Sequence, residues 1–381
     1  MRVQAVQHQA GSWSTPLPSD LDGADTWVLA FASPDTPPDA PALKQLSAAF
    51  PQSVVMGCST AGEIAGDAVH DDSICVAVAQ FEHTRLRVAR TLLSAPADTA
   101  AAGERLAAAL IRPEGGQALR AVFVLSDGVC VNGSTLVRAL HAALPAGVLV
   151  TGGLAGDAER FKRTWVLDGS GVHVRHIMAL GLYGDRLVTG QASEGGWVDF
   201  GPRRQITRSS GNVLYELDGK PALALYKAYL ADRAAGLPGT GMLFPLDVCA
   251  ADTPEQRVVR TLVGVDEGAQ SVTFAGDLPE GGYARLTRSS TERLVDSAAR
   301  AADVALQGMP GPSLAVSVSC VARRIVLGQH TDDEVEAVAS RLPAGAVHVG
   351  FYSYGEIAPG RAPGSCALHN QTMTITAYGE R

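Results

Sequence analysis

Three acidic side chains that each follow a glycine, in loops that resemble one another, are the first candidates for chemistry. If the loops lie side by side, the carboxylates could bind an ammonium group, a divalent cation or backbone amides. The alternative is that each acid caps its own loop by accepting backbone N–H bonds. We favour Glu63 and Glu356 as ligand-facing, because their loops share the frame Gly-x4-Gly-Glu-Ile-Ala, and Asp157 as a cap. The three loops span residues 57–65, 151–157 and 350–358.

Two other chemistries fit the first loop and the cysteines less well. The glycine spacing in 57–62 is that of a phosphate-binding loop, but such loops continue with Lys and Ser/Thr, and here Glu63 would repel phosphate. Cys58 and Cys320 lie near the ends of predicted strands and are candidate nucleophiles. A catalytic cysteine needs a base that lowers its pKa, and the spacing identifies none. The alternative is that both thiols pack as small apolar residues.

Polar and aromatic side chains near the loops are further candidates for ligand contacts. Ser126 and Asp127 end a predicted strand, where they would either hydrogen-bond a ligand or form a plain turn. Phe351, Tyr352 and Tyr354 add an aromatic wall to the last loop. Such a wall suits a flat or apolar ligand, although core packing also explains it.

The histidines raise the question of a metal. His173 and His176 are predicted to lie on one strand and to face opposite sides, so they make a poor pair of ligands. His348 and His369 lie in predicted strands that flank the last loop. Either is a candidate axial ligand for haem, or a core histidine held by hydrogen bonds.

The elements that position these residues form a repeated unit of strand, helix, strand and glycine loop. Thr331 is the predicted N-cap of the last helix, and Glu334 would complete a capping box. The unit is a βαβ crossover, and its continuous apolar strands predict a mainly parallel sheet whose ligands bind beyond the carboxyl ends of the strands. The predicted first strands begin at residues 27, 121 and 314, and the helices span 41–50, 134–144 and 332–342.

The rest of the chain predicts antiparallel strands in a meander and a helix at 221–231. The length of 381 residues favours two domains, which we place at 1–219 and 220–381. The expected fold class is therefore α/β, with two domains built on repeated βαβ units, mainly parallel sheets and antiparallel meander strands.

Composition excludes some classes of protein. The apolar fraction of 46% and the charged fraction of 18% are those of a globular protein with a large core. A net charge of −8 argues against a nucleic-acid surface. No signal peptide or apolar run of membrane-spanning length is evident. Six widely spaced cysteines without a Cys-x-x-Cys pair favour reduced thiols in a cytosol.

Six motifs in order resemble the FIST family, as paired N-terminal and C-terminal modules over nearly the whole chain. They are Gly-Cys-Ser-Thr-Ala-Gly-Glu-Ile (57–64), Ser-Asp-Gly (126–128), Gly-Gly-Leu-Ala-Gly-Asp (152–157), Glu-Leu-Asp-Gly-Lys-Pro-Ala-Leu (216–223), Gly-Phe-Tyr-Ser-Tyr-Gly-Glu-Ile (350–357) and Leu-His-Asn-Gln-Thr (368–372). The resemblance implies a sensory, ligand-binding protein of signal transduction without established enzyme chemistry. Some stand-alone members of the family are haem proteins that sense nitric oxide and act on a partner histidine kinase or cyclic-di-GMP enzyme.

We therefore expect a cytoplasmic sensor, not an enzyme, that binds a small ligand such as an amino-acid-like metabolite and regulates a partner signalling protein. A nitric oxide sensor containing haem b is one alternative, with His348 or His369 as the iron ligand. A Cys-dependent hydrolase or transferase is another. The predicted ligand-binding residues are Cys58, Ser59, Thr60, Glu63, Ser126, Asp127, Gly153, Asp157, Cys320, Tyr352, Tyr354, Glu356 and Asn370.

Overall fold

The computed structural model describes residues 1–381 as three repeated α/β units and one inserted, largely β segment. The α/β class and the repeated βαβ unit are confirmed. We call residues 1–194 and 291–381 the body, because they contain the three units, and residues 198–288 the insert. The body holds three sheets, and the insert has a sheet of its own.

Each unit contains a strand, a helix, a parallel strand, a hairpin and an antiparallel return strand. The first unit comprises β1 (Arg2–Gln9), β2 (Ser12–Trp13), β3 (Thr26–Ala32), α1 (Pro41–Ala49), β4 (Val54–Ser59), β5 (Glu63–Ala65), β6 (Ala68–His70) and β7 (Ile74–Gln80). The second comprises β8 (Arg85–Leu92), α2 (Thr99–Leu110), β9 (Leu119–Ser126), α3 (Gly133–Ala143), β10 (Leu149–Leu154), β11 (Val166–Asp168), β12 (Gly171–His173) and β13 (His176–Tyr183).

The third unit begins with β14 (Leu187–Glu194), and the insert interrupts it. The insert comprises β15 (Val198–Asp199), β16 (Arg204–Ser210), β17 (Val213–Leu217), β18 (Lys220–Pro221), α4 (Ala222–Leu230), β19 (Leu246–Cys249), β20 (Val258–Arg260), β21 (Leu262–Asp266), β22 (Ser271–Phe274) and β23 (Tyr283–Arg288). The third unit continues with α5 (Thr291–Ala305), β24 (Ser313–Cys320), α6 (Val321–Leu327), α7 (Thr331–Ala339), β25 (Ala346–Ser353), β26 (Gly355–Pro359), β27 (Cys366–His369) and β28 (Met373–Glu380).

The units exchange their hairpins in a closed cycle. Hairpin β5–β6 of the first unit adds to β25 of the third, and hairpin β26–β27 of the third adds to β10 of the second. Hairpin β11–β12 of the second unit adds to β4 of the first, which closes the cycle. Asp72, Arg175 and Gln371 each precede a return strand with φ of +56°, +57° and +65°, so the three copies repeat even an unfavourable backbone conformation.

Only one pair of strands in each sheet of the body is parallel: β3 with β4, β9 with β10, and β24 with β25. The other neighbours are antiparallel, so the sheets are mixed rather than mainly parallel as predicted. The parallel pair comes from the βαβ crossover, whereas the exchanged hairpins and the return strands supply the antiparallel neighbours. None of the helices is long and apolar enough to cross a membrane.

The inner faces of the three sheets pack into one core. Trp27 of the first unit lies 5.2 Å from the ring of Phe123 and 5.4 Å from that of Tyr378. Phe31 stacks on Phe351 at 4.6 Å. Because these contacts join all three units, the units share one central hydrophobic core.

The insert has a separate core that includes Leu214, Tyr226 and Phe274. The chain crosses between body and insert twice, at 195–197 and at 289–290. The division into domains at 219/220 stays a prediction. In the sheets, residues 291–381 complete the body that the first half of the chain begins.

Candidate functional site

The three glycine loops meet, as predicted, in a cycle of backbone hydrogen bonds. Each bond joins equivalent positions of two different units: Ala61 N donates to Tyr352 O (2.8 Å), Tyr354 N to Leu154 O (3.1 Å), and Gly156 N to Ser59 O (3.0 Å). The glycine that opens each frame is required by the neighbouring strand, because a Cβ on Gly57, Gly152 or Gly350 would lie 2.2, 1.9 or 2.2 Å from a backbone oxygen. The junction of the loops is therefore packed by main chain.

Glu63 and Glu356 occupy equivalent buried positions within their own loops. The Glu356 carboxylate accepts hydrogen bonds from Ser353 Oγ (3.0 Å), Thr372 N (3.1 Å) and Thr372 Oγ1 (2.7 Å). Glu63 accepts equivalent bonds from Thr60 Oγ1 and from the amide and hydroxyl of Ser73. Burial raises the pKa of Glu63 to about 7 and that of Glu356 to about 8.

Asp157 holds the loop that follows it. One carboxylate oxygen accepts from the Tyr354 hydroxyl, and the other accepts from Lys162 N (3.0 Å) and Arg163 N (2.8 Å). All three acids thus have the hydrogen bonds of loop caps. Direct contact of Glu63 and Glu356 with a ligand stays a prediction, and no cluster of three or more His, Cys, Asp or Glu side chains is arranged to hold a metal ion.

Cys58, Gly153 and Phe351 follow the equivalent glycines and face the shared core. Phe351 fills the space between the sheets, and a Cβ on Gly153 would lie 2.6 Å from Val318 Cγ1 and 3.0 Å from Phe351 Cζ. Gly153 therefore makes room for the phenyl ring. Ser59 is buried beside these residues and accepts from the Trp165 amide (3.1 Å).

Ser126 and Asp127 form a turn at the end of β9. Ser126 Oγ donates to the Asp127 carbonyl oxygen (2.9 Å). The Asp127 carboxylate accepts from the amides of Val129 (2.8 Å), Cys130 (2.7 Å) and Arg175 (3.2 Å). These contacts match the plain-turn alternative.

The cysteine and histidine candidates are buried in environments that suppress their reactivity. Desolvation raises the pKa of the Cys58 and Cys320 thiols, so both stay protonated and neither has the base that a nucleophile needs. His348 Nε2 lies 2.7 Å from Ser317 Oγ and its Nδ1 lies 2.6 Å from Gly66 O, so neither nitrogen is free to bind iron.

His369 lies beside a polar cleft, and its Nε2 is 3.2 Å from Pro359 O. Burial lowers the pKa of His348 and His369 to about 4. The surroundings of neither histidine fit haem, since both rings are held by carbonyl groups and the cleft wall is charged. His173 and His176, predicted to face opposite sides of one strand, instead flank a turn, with ring centroids 5.2 Å apart.

The arginine cleft, as we name it, is a cavity of about 550 Å³ between the body and the insert. It adjoins the carboxyl end of β24, because Glu194 pairs with Met373, which in turn pairs with Ser319. Ligands of α/β proteins bind at such ends. The charged residues of its wall are Glu194, Arg293, Asp296, Arg300 and Arg361 from the body, and Asp247 and Arg257 from the insert.

Comparison with known proteins gives a family over most of the chain. The model of the FIST N domain matches residues 26–220, and that of the FIST C domain matches residues 222–359. The chain belongs to the FIST family. The comparison with curated proteins found no match. Among solved structures, cyanuric acid hydrolase from A. caulinodans aligns at 12% identity over 78% of this chain and 99% of that one, with a TM-score of 0.19, which supports no conclusion about fold or function.

The motif 368–372 forms the seam between the two parts of this FIST protein. Arg260 of the insert donates to Leu368 O (2.9 Å), and Gln371 Nε2 donates to Met242 O (2.9 Å). Trp197, in the first crossing, donates from its indole nitrogen to Gln371 O (2.9 Å). The neighbouring Asn370 is fully buried, and its side-chain oxygen has no hydrogen-bond partner.

A buried ion pair behind the arginine cleft was not predicted. Arg323 Nη2 lies 2.7 Å from Glu334 Oε2, and neither side chain is exposed. Glu334 also accepts from the hydroxyls of Ser319 (3.0 Å) and Tyr352 (2.7 Å). The predicted capping box is therefore wrong: Thr331 lies inside α7, and Glu334 points into the core, where Arg323 neutralises it.

Arg323 also reaches the wall of the arginine cleft. Its guanidinium donates to the carbonyl oxygens of Gly195 (2.8 Å) and Leu294 (2.9 Å). Gly195 lies in the first crossing to the insert and lines the cleft, and Leu294 is next to the lining residue Arg293. The ion pair thus fixes two cleft segments to the core of the third unit.

Proposed function

We propose that this FIST protein is a cytoplasmic sensor that binds a small polar metabolite in the arginine cleft and regulates a partner histidine kinase or cyclic-di-GMP enzyme. Membership of a family of sensory, ligand-binding domains supports the general role. The observation that carries the location is the set of three arginines, Arg293, Arg300 and Arg361, which line the cleft without a carboxylate within 4.0 Å.

The charges of the cleft indicate the ligand's chemistry. Arginine binds carboxylate and phosphate groups with paired, charge-assisted hydrogen bonds. Glu194 and Asp296 lie on the same wall, and neither is in an ion pair, so they can receive an ammonium group. A molecule with a carboxylate and an ammonium group, such as an amino-acid-like metabolite, satisfies both sets. A volume of about 550 Å³ is that of a small-molecule site.

The position of the cleft gives a route from ligand to partner. The first crossing of the chain between body and insert, 195–197, lines the cleft, and Ser289 of the second crossing donates to Gly196 O (2.8 Å). A ligand that contacts both walls would favour one orientation of the insert over others, because it binds that orientation more tightly. The partner would then read the orientation of the insert.

Calorimetry on the full chain with L-glutamate, L-arginine and succinate as probes tests this proposal. We expect binding of at least one probe, weakened about ten- to a hundredfold by Arg300→Gln, because one charge-assisted bond contributes about 1.5–3 kcal/mol. Arg120→Gln, at an exposed arginine far from the cleft in sequence and paired with Asp185, is the matched control. Equal affinities in the wild type and Arg300→Gln would refute the location.

The visible spectrum of protein expressed with haem distinguishes the alternative of a haem sensor. We expect a colourless protein, because both ring nitrogens of His348 are hydrogen-bonded and His369 lies beside a charged cleft wall. A Soret band at stoichiometric haem would overturn the polar-metabolite proposal.

A further inference from the structure

A second cavity, of about 400 Å³, lies between the second unit and the insert, and we name it the aromatic cleft. Its inner wall is apolar and buried, with Leu154 and Tyr354 from the body and Phe274 from the insert. At its mouth lie Val129 and Phe161, which are 41% and 39% exposed. Two large apolar side chains therefore face solvent at the entrance of a cavity whose inner wall is apolar, which is the composition of many small-molecule sites.

The ring of Phe161 is held at this entrance by a strained loop. Phe161 has a φ of +51°, which is rare for a bulky residue. Its amide donates to the Tyr354 hydroxyl (3.1 Å), and its ring stacks on that of Tyr354 at 4.3 Å. Asp157 accepts from the two amides that follow Phe161. Three hydrogen bonds within the loop thus hold a partly exposed phenyl ring in place.

The lining of the aromatic cleft contains no Asp, Glu, His, Lys or Arg side chain. Its amide side chains are committed elsewhere: Asn132 donates to Asp277 (3.0 Å), and Asn212 donates to Phe274 O (2.8 Å). The two clefts share no residue. Charged side chains line the arginine cleft, and none lines the aromatic cleft. The chemistry that fits here is apolar, with a flat face for stacking.

We propose that the aromatic cleft is a second ligand site, which takes a flat, uncharged molecule of one or two aromatic rings and stacks it against Phe161. A cavity of this size is within the range for small-molecule sites, roughly 300–1,000 Å³. The site is independent of the arginine cleft, so it stands whether or not a polar metabolite binds there.

Prodan, an uncharged naphthalene with two fused rings whose emission shifts to shorter wavelength in apolar surroundings, tests the site on the full chain. We expect saturable binding that Phe161→Ala weakens about tenfold, since an aromatic contact and its buried area are lost. Leu92→Ala, at a residue 54% exposed on β8, is the control and should bind like the wild type. The proposal would be overturned if both variants lost the same affinity for the probe, or if neither lost any.

A second measurement needs no variant. Cys130 lines the aromatic cleft and is half-buried, and Cys366, also half-buried, lies outside it. The probe should slow alkylation of Cys130 by iodoacetamide several-fold and leave Cys366 unaffected, as peptide mass spectrometry would show. Equal protection of both thiols, or of neither, would show that the probe adheres elsewhere and that the cleft is not a site.

Discussion

Replacing Glu334 by glutamine tests the importance of the buried ion pair in the third unit. The substitution keeps the shape of the side chain and an oxygen that can accept from Ser319 and Tyr352. It removes the charge that neutralises Arg323, which has no contact with solvent. Removing one partner of a buried ion pair costs about 3–5 kcal/mol, because the remaining charge is left uncompensated. We therefore expect a loss of stability of that size.

Urea unfolding followed by circular dichroism measures this loss as a lower midpoint at an unchanged slope. The matched control is Asp303→Asn, which removes an exposed pair between Asp303 and Arg341 at 3.4 Å. That change should cost at most about 1 kcal/mol, because solvent screens exposed pairs. If Glu334→Gln unfolds at the wild-type midpoint, the charge on Glu334 does not stabilise the fold and our reasoning fails.

The remaining predictions concern the buried acids and the thiols. Glu356→Gln should weaken ligand binding roughly two- to tenfold, because Glu356 positions the cleft residue Thr372 by hydrogen bonds. Glu63→Gln, the equivalent change in the first unit, should leave the affinity measured by calorimetry unchanged if the ligand lies in the arginine cleft, whereas direct contact of Glu63 with the ligand predicts a loss. Near neutral pH the carboxyls of Glu63 and Glu356 hold a proton in the folded protein but not in the unfolded chain, where their pKa is near 4.5. Stability to urea should therefore fall as the pH rises from about 6.5 to 8, and less so in the double variant. The two buried histidines make stability rise with pH, but only below pH 6.5, which is their pKa in the unfolded chain. A stability that does not change with pH above 6.5 would therefore contradict the raised pKa values of the two carboxyls. Iodoacetamide should label Cys130 first and Cys366 more slowly, because burial raises the pKa of the Cys366 thiol to about 12. After denaturation all six thiols should react without reductant, as mass spectrometry would count.

The repeated unit could be predicted from the sequence because its signals are local. Apolar strands, a helical pattern and a glycine frame recur in each copy, and the glycines are required by contacts within one unit, such as Gly57 against Ala30. The hairpin exchange could not be predicted. Whether β5 extends its own sheet or that of another unit depends on contacts between residues such as Glu63 and Phe351, far apart in the chain.

The same distinction applies to the sites. The loop acids were visible because each follows a glycine in a repeated frame. The arginine cleft was not, because its residues come from separate segments that only the fold brings together. One signal was present: Arg293, Asp296 and Arg300 lie at helical spacing on α5. On sequence alone such a row is that of any solvated helix face.

The differences between the copies coincide with the two clefts that we propose as ligand sites. In the first and third units, a glutamate caps the turn before the return strand. In the second unit Asp127 takes that place by bonding to the amide of Arg175, which leaves Asp157 to hold the loop of Phe161. The aromatic cleft therefore arises where the second copy departs from the frame. The arginine cleft arises likewise where the third copy receives the insert, since the first crossing lines it and the second is hydrogen-bonded to the first. The geometry that the three copies share holds the scaffold, and a cleft with different chemistry lies at each departure from it.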